Sequence, residues 1–584
     1  MESREKDVAV EVSVTTLHAK LGSSDLTKPP YAGVDEAGKT SEGERQLKDL
    51  DDLFPYIGEF GWYQRLLFLM MLPYATFFAV VYFAQIFMTV VPAEHWCNVP
   101  ELQNFTVEQR RYLAIPRSDD GSYEKCLMYE VDWSSVLSNG TRHPDRSWST
   151  SLCRYGYEFE FTDVPYETIA TQLGWVCEKG ENVATAQAVF FCGAIVGGLL
   201  FGWLADKYGR VPALFGANMA ALAGGMGTAF CNDFWSFCVC RFIVGLAYDN
   251  CFMIMYIVVV EYVGPRYRTM VVNLSFGVFF TGAACALPWI ALAAADWRLY
   301  ALVTTAPLIL AIFTPCVVPE SARWLIAQGR IDEAINVLKK FEYINRRKIP
   351  NEIMEEFRET AAELAKKEQE AKNYSVLDLF RSPRLRRHTV ILVVLWASIA
   401  MVFDGHVRSA GAFGLDMFLT FTLATATELP ADLLLIFLLD FTGRRWLTFS
   451  TMVIGGLFCF IVIIVPFGVP SAAAGVAGRF AVNIAYNLGM QFAAELLPTV
   501  ARAQGLGLVH IAGYIATVLV PYIIYMGTFA SYIPLVVLGC LGFIGGSMSL
   551  LLPDTTGEPM PQTLRDGEEF GIHQDFWDVP WLKR

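Results

Sequence analysis

Phe403-Asp404-Gly405-His406-Val407-Arg408-Ser409 places an acid, an imidazole and a guanidinium within a short piece of an otherwise apolar stretch. Charge in so apolar a setting is costly, and each such residue is a candidate for function. Asp404 and Arg408 are four residues apart and share one face of a helix. Two readings are open. One is an internal salt bridge that cancels buried charge. The other is a site for a molecule carrying both charges, with Asp404 meeting an ammonium and Arg408 a carboxylate. His406 lies about 200° around the helix from Asp404 and reads as a packing or boundary histidine.

Further ionisable groups interrupt apolar runs: Arg241, Asp249, Asp416, Glu428, Asp432 and Arg479. Glu428 precedes Pro430, which disturbs a helix and frees backbone carbonyls, so Glu428 reads as facing a ligand. Tyr256, Phe403 and Tyr514 are candidates for an aromatic wall that would receive an amine by cation–π attraction. Simple packing is the plainer role for any one of them.

A second constellation occurs twice. Asp206-Lys207-Tyr208-Gly209-Arg210 returns as Asp440-Phe441-Thr442-Gly443-Arg444, a shift of 234 residues. Glu261 and Arg268 return as Glu495 and Arg502 at the same shift. Two copies at one offset argue for a duplicated membrane protein. The glycines permit a sharp turn, and the charges can pair with each other or with helix ends. Together they read as a conformational latch at one membrane face. Arg241 and Arg479, which precede Glu261 and Glu495, are expected to anchor it.

The elements that must position these groups are long apolar runs. Of 584 residues, 54% are hydrophobic and 14% aromatic, with mean hydropathy +0.38. That excludes an ordinary soluble domain. The net charge of −13 speaks against nucleic acid. Twelve spans are expected near 66–91, 183–204, 211–230, 234–260, 270–293, 299–318, 389–410, 415–439, 446–467, 471–494, 505–526 and 529–552. They divide the chain into a tail 1–64, a six-helix half 65–318, a central loop 319–388, a second half 389–552 and a tail 553–584. The central loop reads as two solvated amphipathic helices, 331–341 and 352–371. Basic residues cluster on the side that holds the central loop, which sets both termini as cytoplasmic.

The loop 92–182 then lies outside. It carries Cys97, Cys126, Cys153 and Cys177, enough for two disulfides with three possible pairings. It also carries the glycosylation sequons at Asn104 and Asn139. No phosphate loop, metal-ligand cluster or nucleophile arrangement occurs, so no enzyme activity, cofactor or metal is expected.

The repeated Asp…Gly-Arg motif resembles the signature loop of the major facilitator superfamily. Pro319-Glu320-Ser321-Ala322-Arg323-Trp324-Leu325 and Glu495-Leu-Leu-Pro498-Thr499-Val-Ala-Arg502 resemble segments of solute carrier family 22, the organic cation, anion and zwitterion transporters. The cysteine-bearing, sequon-bearing loop is similar to that family's distinguishing insertion. The resemblance runs from about Leu53 to Asp554. It implies an all-α membrane protein of twelve helices in two pseudo-symmetric halves, working in the plasma membrane by alternating access.

It also implies roles. Glu428 matches an acidic position used by cation-transporting relatives. Tyr514 stands where cation carriers have an acid and anion carriers a base, and its neutrality favours a zwitterion or small amine. With Asp404 and Arg408 present, the chain resembles insect carriers of β-alanine, carcinine and related amines more than broad drug-cation carriers; a carnitine-like substrate fits too. The expected partners are that small molecule and the lipid bilayer. A broad organic cation transporter is the alternative, ahead of a sugar porter or a non-transporting receptor.

Overall fold

The computed structural model describes residues 50–577 apart from 119–120, 139, 141–142, 146, 372–374, 414 and 575–576; the side chains of 367–371 and 440 are not described. Asn139 and the side chain of Asp440 therefore lie outside the described residues.

Twelve helices form the bundle. They are α1 Trp62–Thr89, α2 Glu181–Tyr208, α3 Arg210–Thr228, α4 Phe234–Tyr262, α5 Pro265–Ala294 and α6 Trp297–Val317, then α7 Pro383–Arg408, α8 Met417–Leu439, α9 Arg444–Ile464, α10 Val469–Leu496, α11 Thr499–Thr528 and α12 Ile533–Ser549. Among the described residues, nine spans are long and apolar enough to cross a bilayer by themselves. The other three are α3 and α10, rich in alanine and glycine, and the shorter α12. Small residues lower hydropathy but let backbones approach closely. The α2–α4 crossing shows how close. A Cβ on Gly193, Gly197 or Gly245 would lie 2.0–2.3 Å from a carbonyl oxygen of the opposite helix.

Several helices break near mid-bundle. α4 divides into Phe234–Leu246 and Asn250–Tyr262, with Asp249 held at φ +61°. α5 contains a π turn at Ser275–Phe280, and α8 divides at Thr427 before Glu428. Broken backbone within a membrane is tolerated where protein or a cavity lines it.

The segment between α1 and α2 is a small domain with its own core of Trp96, Leu102, Met128 and Trp133. Strand β1 His95–Cys97 pairs with β4 Tyr157–Phe159, and β2 Leu127–Tyr129 with β3 Thr150–Leu152, both antiparallel. Disulfides join Cys97 to Cys153 and Cys126 to Cys177, which selects one of the three pairings. Asn104 is exposed, and Thr106 of its sequon caps the helix Val107–Ala114. Hydrogen bonds from Tyr166 to the Phe87 carbonyl and from Thr168 to the Val90 carbonyl dock the domain onto the end of α1. Between α6 and α7, helices Ala322–Ala327, Ile331–Asn345 and Asn351–Ala371 cover the opposite end of the bundle.

Candidate functional site

The repeated motif folds twice in nearly the same way. Gly209 and Gly443 have φ +113° and +77°, a backbone turn that residues with a Cβ rarely adopt. Each ends one helix and starts the next. The new helix N-terminus is then capped by an acid from far along the chain. Glu320 accepts from the Arg210 and Val211 amides at 2.7 and 3.2 Å, and Asp554 accepts from the Arg445 amide at 3.2 Å. Carboxylates suit that position because they meet free N–H groups and the positive end of the helix dipole. The next residues complete the pattern: Ser321 donates to Glu261, and Thr555 donates to Glu495. Glu320-Ser321 and Asp554-Thr555 obey the same 234-residue shift, and that offset was the signal that could have found them.

The charges pair differently in the two copies. Arg444 grips Glu495 at 2.9 and 3.1 Å, whereas Arg210 pairs with Asp206 at 2.7 Å. Arg268 forks onto Asp51, just before α1, at 2.6 and 3.0 Å. Burial acts to raise the Asp51 carboxyl, but Arg268 and Arg323 together hold it below its ordinary value. Arg502 turns back to the Leu497 carbonyl at 3.1 Å. None of these bonds joins one six-helix half to the other.

Arg241 and Arg479 do not anchor this region. Arg241 donates to Gln85 at 2.7 Å, and Arg479 donates to the Phe403 carbonyl at 2.6 Å; both are buried. The reason is length: at 1.5 Å per residue, Arg241 stands about 30 Å from Glu261 along the helix, and Arg479 about 24 Å from Glu495.

Arg479 belongs instead to a central site. Asp404 is 1% exposed. Its Oδ2 accepts from Arg408 Nε at 2.7 Å, and its Oδ1 accepts from the Tyr82 hydroxyl of α1 at 2.9 Å. Both carboxylate oxygens are therefore satisfied, one of them by the opposite half. The Arg408 guanidinium lies 5.5 Å from the Phe191 ring of α2, and its buried Nη2 has no hydrogen-bond partner among the described residues. The Arg479 guanidinium sits 3.7 Å over the Phe403 ring, which stacks on Tyr486 at 4.0 Å.

These groups adjoin a cavity of about 20 Å³. Its walls include Asp404 and the rings of Tyr82, Phe191, Tyr248, Trp396, Phe403, Tyr486 and Tyr514. Phe403 and Tyr514 thus both line it. Tyr256 does not: it packs on Phe252 and Phe276 at 6.1 and 5.6 Å, away from the cavity. Glu428 also lies off the lining. It is buried with Oε2 unpartnered among the described residues, and it faces Arg479. His406 Nε2 lies 3.2 Å from Cys459 Sγ in the packing behind α7. Tyr82, Phe191, Tyr248, Trp396 and Tyr486 escaped the sequence reading because an aromatic in an apolar helix looks alike in core and cavity.

Away from the bundle, His95, Cys126 and Cys177 fall within 4.8 Å of one another, but both sulfurs are committed to the disulfide.

Two six-helix halves that meet at a central cavity lined by aromatic rings and Asp404 define a membrane transporter. The sugar (and other) transporter family matches residues 149–564. The carcinine transporter of Drosophila melanogaster is 32% identical over 544 residues, covering 91% of this chain and 80% of that protein. Human solute carrier family 22 member 13 is 32% identical, covering 88% and 92%. The Drosophila melanogaster β-alanine transporter is 30% identical, covering 89% of each. In fold, the inward-open xylose transporter XylE of E. coli superposes with a TM-score of 0.57 at 15% identity, covering 86% of this chain and 99% of that one. The chain belongs to the sugar (and other) transporter family of the major facilitator superfamily, within solute carrier family 22. It is a multi-pass membrane transporter and not an enzyme.

Proposed function

We propose that this transporter moves a small organic amine or zwitterion, of the size and charge of β-alanine, carcinine or carnitine, across the plasma membrane. The observation that carries the reading is the Asp404–Arg408 pair beside an aromatic wall, with one guanidinium nitrogen that has no hydrogen-bond partner among the described residues. A zwitterion can exchange with this pair without changing net charge. Its carboxylate takes Arg408 and its ammonium takes Asp404, so one internal ion pair becomes two to substrate. The names of the carcinine and β-alanine transporters support the substrate class.

The cavity as it stands has room for about one water. Substrate binding therefore requires the halves to separate, as alternating access does. In this reading the motif residues Asp206, Gly209, Arg210, Glu261, Arg268, Asp440, Gly443, Arg444, Glu495 and Arg502 stabilise one conformation as two latches. Both termini and the helices between α6 and α7 face the cytoplasm, and the disulfide-linked domain with Asn104 faces outward.

The test is uptake in cells expressing the chain, with radiolabelled β-alanine, carnitine, tetraethylammonium and an aromatic organic anion side by side. Saturable uptake of β-alanine or carnitine supports the paired-charge site. Uptake of the anion alone, or of none of the four with the protein at the surface, rejects it.

A further inference from the structure

Two carboxylates at the centre of the bundle are each bound by a tyrosine hydroxyl from the opposite half. Tyr82 of α1 donates to Asp404 of α7, and Tyr514 of α11 donates to Asp249 of α4. The arrangement is reciprocal, but the charge balance is not. Asp404 also holds Arg408, and Arg479 faces both Asp404 and Glu428. Among the described residues, Asp249 has the neutral hydroxyl of Tyr514 and the imidazole of His510, which packs on Trp396 and Tyr514.

Asp249 is also placed as an acceptor rather than as filler. It sits in the break of α4 at φ +61°, a conformation uncommon for a residue with a side chain and retained chiefly at functional positions. Unlike Asp404 it is only partly buried. Its chain neighbour Tyr248 and its partner Tyr514 both line the cavity, with their rings 5.6 Å apart. A carboxylate without a cation, beside an aromatic cage, is the chemistry that recognises an organic ammonium.

We propose that Asp249 is the acceptor for substrate cations that carry no carboxylate, and that such a cation displaces the Tyr514 hydroxyl. This deepens the amine-transport reading and rests on it. A simple cation cannot exchange with the Asp404–Arg408 pair, because that would strand the Arg408 charge. At Asp249 it supplies the missing charge and at the same time releases a hydrogen bond that ties the two halves together. Substrate binding is thereby coupled to separation of α4 from α11.

The test measures uptake of tetraethylammonium and β-alanine by the full chain and by Asp249→Asn and Tyr514→Phe, normalised to surface protein. Asparagine has the shape of aspartate and its side-chain oxygen still accepts from Tyr514, so it removes the charge with the least other change. Asp249→Asn is expected to raise the KM for tetraethylammonium at least tenfold and to leave that for β-alanine within twofold. Tyr514→Phe keeps the ring and removes the competing donor, and is expected to lower the tetraethylammonium KM. An unchanged KM in both variants overturns the proposal, as does an Asp249→Asn variant that loses only the pH dependence of uptake, which would make the occupant a proton. Wild-type uptake of β-alanine or carnitine without the ammonium overturns this proposal and spares the amine reading; uptake of none of the three overturns both.

Discussion

Arg444 and Glu495 form a two-pronged ion pair, while their counterparts Arg210 and Glu261, at the same places in the first half, do not bond to each other. The duplicated sequence thus folds into two copies whose ion pairs differ. The second has a largely buried pair, with the two side chains 14% and 11% exposed. The first has Asp206 78% exposed.

Arg444→Ala should accordingly hurt more than Arg210→Ala. Breaking a largely buried pair leaves Glu495 with Thr555 and Gln491 alone and costs about 3 kcal/mol. Losing the exposed Arg210–Asp206 pair costs about 0.5 kcal/mol. Thermal unfolding of the two purified variants should show the larger fall in Tm for Arg444→Ala. Equal falls would mean that the ion pair is not the source of the difference.

Arg408→Ala should reduce zwitterion uptake more than cation uptake. The substitution removes the carboxylate partner and leaves Asp404 with Tyr82 as its named donor. A tenfold or greater rise in KM for β-alanine, against a smaller change for tetraethylammonium, is the expected result. Parallel losses would instead reduce the pair to a structural bridge.

Non-reducing peptide mapping should recover Cys97 linked to Cys153 and Cys126 linked to Cys177. The four thiols should not react with maleimide until reduced. The bridged residues are 56 and 51 apart, so losing either bridge should cost the domain between α1 and α2 about 4 kcal/mol. Recovery of either other pairing would contradict the fold of that domain.

The same domain should weaken in mild acid. Burial, with the Lys125 ammonium beside it, holds His95 below its ordinary pKa of 6.5. The folded state therefore binds the proton less readily than the unfolded chain. The contribution of neutral His95 is complete above about pH 6.5 and is lost as the pH falls below that value. Hydrogen exchange across residues 93–118 should speed up between pH 7.5 and 5.0, after correction for intrinsic rates. The change should be smaller in His95→Gln.

The sequence alone determined the membrane class, the twelve spans, the duplication and the cysteine-bearing domain. Each of these rests on local composition or on spacing along one chain: apolar runs long enough for a bilayer, one constant offset, four cysteines in a single polar segment. It also put Asp404 and Arg408 on one face, because a separation of four residues is a property of the helix itself. Partners from distant elements were decided only by the tertiary structure. Tyr82 reached Asp404 across 322 residues, and Tyr514 reached Asp249 across 265. Arg241 and Arg479 stand away from Glu261 and Glu495 because the rise of a helix separates residues that the chain order had seemed to join. The disulfide pairing and the unequal ion pairs of the two motif copies have the same origin. Periodicity specifies which way a side chain leaves its helix, and only the packing of helices specifies what it meets.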